Sequence, residues 1–337
     1  MLGTMNKSPM PPSPSGLDSS SLLQAMIGDG VPLILLTALA LAASGGFALF
    51  LSITGSFLPH DIEFLGMQAA DLCRINECRI VHFMIHDRFS FGGVLIAIAV
   101  LYAWLALFPL RQGEAWAWRL LLASGVVGFG SFLSYIGYGY LDTWHGVASL
   151  FLLPIFTIGM LTTRNLVTHW PPWSAIFVSV WRPVPSTSRE GIGRLCLLVT
   201  GVGMLGAGTV ILIVGMTSVF VPEDLQFMGL TPAQLEAVNP RLIPLIAHDR
   251  AGFGGGLLTT GLMVTVILWQ ARPSQSMWEA LLIAGAVGFG CAIGVHYPIG
   301  YRDAFHLAPG WMGLGIFLTG IWLSRPRCVQ TGANAAS

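Results

Sequence analysis

Apolar residues along this chain gather in long unbroken runs. Eight of them approach the roughly 20 residues that a helix needs to cross a hydrocarbon core of about 30 Å. The predicted spans are 31–53, 89–110, 116–137, 145–161, 195–220, 253–269, 278–295 and 306–323. Between the first and second spans, and again between the fifth and sixth, lie polar segments too long for simple turns. Each is read as a small cap. In the second cap Thr231-Pro232-Ala233-Gln234 has the form of a capping box with proline at the first helical position, so a short helix is expected there. Gln68 to Cys73 should be its counterpart in the first cap.

The polar positions between the runs are duplicated. Phe57, Pro59, Asp61, Phe64, Gly66, Leu72, Asn76, Arg79, His86-Asp87-Arg88, Phe91-Gly92-Gly93, Gly128-Phe129-Gly130, Gly139-Tyr140, Asp142 and His145 form the first series. Phe220, Pro222, Asp224, Phe227, Gly229, Leu235, Asn239, Arg241, His248-Asp249-Arg250, Phe253-Gly254-Gly255, Gly288-Phe289-Gly290, Gly300-Tyr301, Asp303 and His306 answer in the same order. The offset stays between 160 and 163 residues, which shared apolar composition alone does not produce. Four spans per copy is an even number, so both copies enter the membrane in the same sense. The predicted fold is therefore an all-α polytopic membrane protein of about eight transmembrane helices, arranged as two tandem parallel four-helix repeats.

Composition agrees with a bilayer. Hydrophobic residues make up 54% of the chain and charged ones 9%, against roughly a quarter charged in soluble domains. A formal net charge of zero gives no long-range attraction for nucleic acid, which is excluded as a partner. The lipid bilayer is the expected partner, together with other membrane proteins if the chain belongs to a complex. Residues 1–24 read as a disordered cytoplasmic tail, 25–165 as the first repeat with its cap at 54–88, and 166–193 as an interfacial connector rich in tryptophan. Residues 194–325 form the second repeat with its cap at 219–250, and 326–337 a flexible tail.

Orientation follows from the basic residues of the loops. Ten of the sixteen lie on the side that holds both termini and six on the other, which predicts cytoplasmic termini in a bacterial cytoplasmic membrane. That division puts both caps outside, with eleven of the sixteen acidic residues and seven of the eight histidines. Cys73 and Cys78, the one close cysteine pair, then fall in an oxidising compartment and are expected to form a disulfide.

Each His-Asp-Arg triplet is expected at the outer end of one span, and each Gly-Tyr-x-Asp-x-x-His at the outer end of another two spans later. If the four helices of a repeat pack together, His86, Asp87, Arg88, Tyr140, Asp142 and His145 converge in one corner. His248, Asp249, Arg250, Tyr301, Asp303 and His306 converge in the other. Asp142 and His145 stand at i and i+3, as do Asp303 and His306, so each carboxylate can cap its helix or orient its imidazole. The recurrent glycine pairs mark seams where helices approach closely.

Four readings of these corners stay open. Asp and Arg can form structural ion pairs that close the polar end of the bundle. His86, His145, His248 and His306 can ligate a metal ion or a haem, although no His-x-x-x-His pair occurs in both copies and no covalent haem motif is present. A quinone, lipid or other amphiphile bound between the spans can use the Tyr, His, Asp and Arg groups for hydrogen bonds and proton transfer. Transport is the fourth, with His296 and Tyr297 as the nearest groups inside a span. The working expectation is two related sites for a redox cofactor or quinone-like ligand, catalytic role open. The competing class is a transporter or an accessory subunit of a membrane complex.

Overall fold

A computed structural model describes residues 27–133, 140, 143–178 and 187–325. Every regular element among them is helical, and eight helices are long and apolar enough to cross a membrane. In chain order these are α1 (Val31–Thr54), α4 (Arg79–Leu105), α5 (Ala115–Leu133), α6 (Thr143–Thr163), α7 (Arg189–Met216), α10 (Leu242–Gln270), α11 (Gln275–Gly294) and α13 (Ala304–Leu323). The first cap holds α2 (Pro59–Leu65) and α3 (Ala69–Ile75). The second holds α8 (Pro222–Met228) and α9 (Pro232–Val238), and a single turn, α12 (His296–Ile299), precedes α13.

Two of these helices are central. The apolar stretches of α4 and α10 are 67% and 72% buried, while those of the other six are between 17% and 44% buried, so α4 and α10 form the axis and the rest surround it. Large apolar side chains such as Leu39, Phe50, Phe151, Val210 and Trp322 face outward. That distribution suits lipid as the solvent, since a bilayer does not force apolar groups inward.

Glycine decides how closely the axis helices meet their neighbours. A Cβ on Gly45 would lie 2.5 Å from the carbonyl oxygen of Gly92, and one on Gly92 would lie 2.8 Å from that of Gly45, so α1 and α4 touch backbone to backbone. Gly208, Gly254 and Gly261 make the same seam between α7 and α10, where added Cβ atoms would fall 2.2 to 2.4 Å from backbone nitrogens. The adjacent glycines face a different neighbour: Gly93 meets Cys291 of α11, and Gly255 meets Ser131 of α5.

This arrangement corrects one expectation about packing. α4 packs chiefly on α1 and α11, and α10 on α7, α4 and α5, so each axis helix takes a neighbour from the other half of the chain. The four spans of one half do not close a bundle by themselves. The reason is the second glycine of each pair, which opens a face of the axis helix that its own half does not fill.

Above the spans, the two caps share one apolar core. Phe57, Leu65 and Leu72 from the first and Phe220, Met228 and Leu235 from the second pack with Phe83, Leu245, Tyr140 and Tyr301. Reciprocal latches tie the caps together. Asn76 Nδ2 donates to the Met228 carbonyl at the end of α8 (2.6 Å), and Asn239 Nδ2 donates to the Leu65 carbonyl at the end of α2 (2.7 Å). Each asparagine thus satisfies a terminal carbonyl that the partner cap's helix leaves orphaned.

Local cap chemistry follows the sequence. Thr231 and Gln234 form the reciprocal capping box on α9, with Gln234 N donating to Thr231 Oγ1 and Thr231 N to Gln234 Oε1. In α3 the Asp71 carboxylate accepts from Gln68 N at 3.0 Å. Cys73 and Cys78 are joined as a disulfide between the end of α3 and the start of α4.

Candidate functional site

The His-Asp-Arg triplets lie well inside their helices. α4 starts at Arg79 and α10 at Leu242, about two turns before the triplets, so the triplets stand inside their helices and not at the helix starts. The helices continue because the caps cover this level and partners satisfy its charges. A polar layer results, between the apolar core of the spans and the apolar core of the caps.

Within that layer the guanidinium groups work across the two halves. Arg88 donates through Nε to Asp249 at 2.7 Å and through Nη1 to Asp61 at 2.8 Å. Arg250 donates through Nε to Asp87 at 3.3 Å and through Nη1 to Asp224, and also reaches the Val219 carbonyl at 2.9 Å. Each arginine therefore binds the carboxylate of the other half's triplet and a carboxylate from its own cap. These ion pairs are buried, with Asp61, Asp87 and Asp224 no more than 1% exposed.

The aromatic groups also cross. Tyr140 stands edge-on to His248 at 5.0 Å between ring centroids, and His145 Nδ1 lies 3.0 Å from His248 Nε2. Tyr301 and His306 lie 5.7 and 5.5 Å from His86 in the same measure. The sequence expectation that each corner is built from one repeat is thus corrected: His86 and Asp87 stand with Tyr301 and His306, and His248 and Asp249 with Tyr140 and His145. The cause is the packing of the axis helices on spans from the other half. Asp142 lies outside the described residues.

Each triplet histidine is oriented by the aspartate beside it. His86 Nδ1 is 2.9 Å from Asp87 Oδ1, and His248 Nδ1 is 3.2 Å from Asp249 Oδ1. Both carboxylates accept, so Nδ1 carries the proton in each case and Nε2 is left as an acceptor. Asp303 acts as a helix cap instead, accepting from the backbone N of His306 at 2.7 Å.

Two cap carboxylates complete the corners, and sequence reasoning had not assigned them to a site. Tyr140 donates to Asp61 Oδ1, and Tyr301 donates to Asp224 Oδ1 at 2.9 Å. Burial pushes the Asp61 carboxyl up, but Arg88 and the Tyr140 hydroxyl more than offset it and hold the group below its ordinary value. Burial and the neighbouring Asp224 carboxylate push the Tyr301 hydroxyl well up, so it stays a neutral donor. The signal for Asp61 and Asp224 was their place in the duplicated series. His296, which the sequence offered only for the transport reading, has no counterpart there.

The corners differ in what surrounds them. At the His145–His248 corner a cavity of about 280 Å³ runs down between α1, α4, α5, α6 and α10. Its walls are mostly apolar, with Leu41, Phe91, Leu95, Phe129 and Leu152, and its polar end carries Asp61, Arg88, His145 and Asp249. Ser44, Phe47 and Ala148 on its rim are exposed, so it opens sideways between α1 and α6. The other corner instead holds a third imidazole, His296, with ring centroids 4.5 Å from His86 and 5.2 Å from His306.

The four histidines expected as a ligand set thus divide between two places. His145 and His248 are in direct hydrogen-bond contact at one of them, and His86 and His306 stand together at the other. Compared with known protein families, curated proteins and solved structures, the chain matches none.

Proposed function

We propose that this membrane protein binds an amphiphile with a quinone-like head in the cavity beside His145, its polar head against Arg88 and His145 and its apolar part between α1 and α6. The observation that carries this reading is the cavity itself: an apolar channel, open sideways toward lipid, that ends on a preorganised set of hydrogen-bonding groups. Its volume is near the lower bound of ligand sites, roughly 300 Å³.

The hydrogen-bond chain supports this reading at the polar end. His248 Nδ1–H donates to Asp249 and its Nε2 accepts, so His145 Nδ1–H is the donor of the 3.0 Å contact. His145 Nε2 is then the acceptor nitrogen, suited to a ligand hydroxyl. Arg88 commits two of its five N–H donors to Asp249 and Asp61 and lines the same cavity, suited to a ligand carbonyl. A head that carries both carbonyl and hydroxyl states, as a quinone and its hydroquinone do, matches this pair. The Arg250, Asp87 and Asp224 cluster acts as a structural clamp in the same scheme, which absorbs the ion-pair reading for that corner. The caps and both corners are assigned to the outer face of a bacterial cytoplasmic membrane, on the distribution of basic residues in the loops.

The test is binding of a short-chain ubiquinone or menaquinone analogue to the purified protein in mild detergent, followed by quenching of tryptophan fluorescence. Saturable binding is expected, lost in Gly128→Leu, which fills the cavity, and weakened roughly tenfold in His145→Phe by loss of a buried hydrogen bond. Binding that is unchanged in Gly128→Leu, or absent from the wild-type protein, overturns the reading.

A further inference from the structure

The corner opposite the cavity brings together His86, His296 and His306, each offering a ring nitrogen, all within 4.8 Å of one another. Two of these rings are already held in ligand form. His86 Nδ1–H donates to Asp87 at 2.9 Å, which leaves Nε2 with its lone pair. Tyr301 donates its own proton to Asp224, so its oxygen accepts from His306 Nδ1 at 3.1 Å, and Nε2 of His306 is again the lone-pair nitrogen. Carboxylate–histidine and carboxylate–tyrosine–histidine chains of this kind orient and strengthen imidazole ligands.

The third ring has no such role in the fold. His296 is 4% exposed, and neither of its ring nitrogens has a hydrogen-bond partner of acceptable geometry among the described residues. The carbonyls of Ala292 and Ile293, one turn back in the chain, lie near it without closing that account. A buried imidazole with both nitrogens unsatisfied is costly unless something else uses it. Packing alone would favour an apolar residue at this position.

We propose that His86, His296 and His306 form a binding site for one divalent transition-metal ion of the zinc, cobalt or nickel type. This goes beyond the amphiphile reading and concerns the other corner. The all-imidazole donor set excludes calcium and magnesium, which take oxygen ligands, and suits borderline metals. Metal–nitrogen bonds of about 2.0–2.1 Å place tetrahedral ligand atoms roughly 3.3 Å apart, so the rings draw inward on binding. His296 breaks no hydrogen bond of good geometry in doing so. Asp87, Asp224 and Arg250 are among the charges facing His306, and two carboxylates against one guanidinium leave the surroundings net negative for the cation. Three protein ligands leave a fourth position for water or another oxygen donor.

Among the described residues, no such group of three lies at the first corner. In sequence, residues 131–139 contain no histidine, and His145 and His248 bond to each other. Duplication has therefore left one corner with a cavity and the other with a third ligand.

Metal-stripped protein in mild detergent, titrated with Co²⁺ and followed by ligand-field absorption in the visible, tests the assignment. One Co²⁺ per chain, displaced by Zn²⁺, is expected. His296→Ala should lower the affinity by about tenfold or more while keeping its thermal midpoint, and Tyr301→Phe should lower it by about ten- to a hundredfold. His248→Ala should leave it unchanged. If His296→Ala does not fold, His306→Ala carries the same comparison. No saturable binding of Co²⁺ or Zn²⁺ to the wild-type protein, unchanged affinity in the foldable ligand variant, or equal loss in His248→Ala overturns the site. The quinone assay reads the cavity alone, so failure of one proposal leaves the other standing.

Discussion

Arg250→Met isolates the energetics of the polar layer. The side chain is 6% exposed and is paired with Asp87 and Asp224, whose side chains are 1% and 0% exposed, so methionine leaves two carboxylates buried together without a counter-charge. At the 3.3 Å separation of Arg250 Nε and Asp87 Oδ2, unit charges interact by about 5 kcal/mol at an effective dielectric of about 20. Desolvation offsets much of that in the intact pair, but the orphaned carboxylates no longer receive it. Breaking a buried pair from one side costs about 3–5 kcal/mol, and the second carboxylate puts the expectation at the upper end.

The triple variant Arg250→Met, Asp87→Asn, Asp224→Asn removes all three charges and should recover more than half of the loss. Arg88→Met should cost less than Arg250→Met, since Arg88 is 14% and its partner Asp249 6% exposed, against 6% for Arg250 and no more than 1% for both of its carboxylates. The assay is unfolding of the purified protein by a denaturing detergent, read by maleimide reactivity of the buried thiol Cys291. A cost below about 1 kcal/mol for Arg250→Met, at the level of exposed ion pairs, or a triple variant no more stable than the single one, would refute the reasoning.

Three further outcomes follow from particular contacts. Gly208→Ala should destabilise by about 1–3 kcal/mol through overpacking, because its Cβ would fall 2.2 Å from Leu258 N, while Gly288→Ala, with nothing within 4 Å, should be neutral; thermal midpoints in one detergent decide. Asn76→Ala should cost about 0.5–1.5 kcal/mol for one lost hydrogen bond, and Asn239→Ala more, since its Nδ2 also donates to Met67 Sδ and its Oδ1 accepts from Arg241 N; the double variant should be measured by the same unfolding titration for additivity. In pH, Asp61 sits below its ordinary value of 3.8, so its contribution is present above that value and is lost as pH falls through the lower folded one. Tyr301 sits above its ordinary 10.0, so its contribution is complete below pH 10.0 and is lost as pH rises beyond it; Tyr301→Phe should show a shallower alkaline decline in thermal midpoint, and an identical decline would count against the assignment.

The spans were legible because each is a local property. About 20 apolar residues in a row have to satisfy their own backbone in lipid, and a helix does so without reference to anything distant. The capping box at Thr231 and the Cys73–Cys78 bridge are equally local. The duplicated series also singled out polar positions that the fold brings together, including Asp61 and Asp224, before any of them could be given a partner. The starts of α4 and α10 were misjudged for a physical reason. His86-Asp87-Arg88 and His248-Asp249-Arg250 look like the end of an apolar run, and only the cap cores and the crossed arginines make those charges tenable inside a helix.

What the sequence could not decide was which copy of each group meets which. Periodicity places Tyr140 and His145 at one level with His86, and Tyr301 and His306 at one level with His248, but level is not contact. The crossing depends on Gly93 admitting α11 and Gly255 admitting α5, a matter of backbone approach between distant segments. His296 shows the same limit: in sequence it is one histidine near the end of an apolar run, and only packing turns it into the third member of a cluster. Local chemistry determined the helices and nominated the residues, because those depend on neighbours in the chain; tertiary structure alone assigned their partners, because burial and close packing are set by segments some 160 residues away.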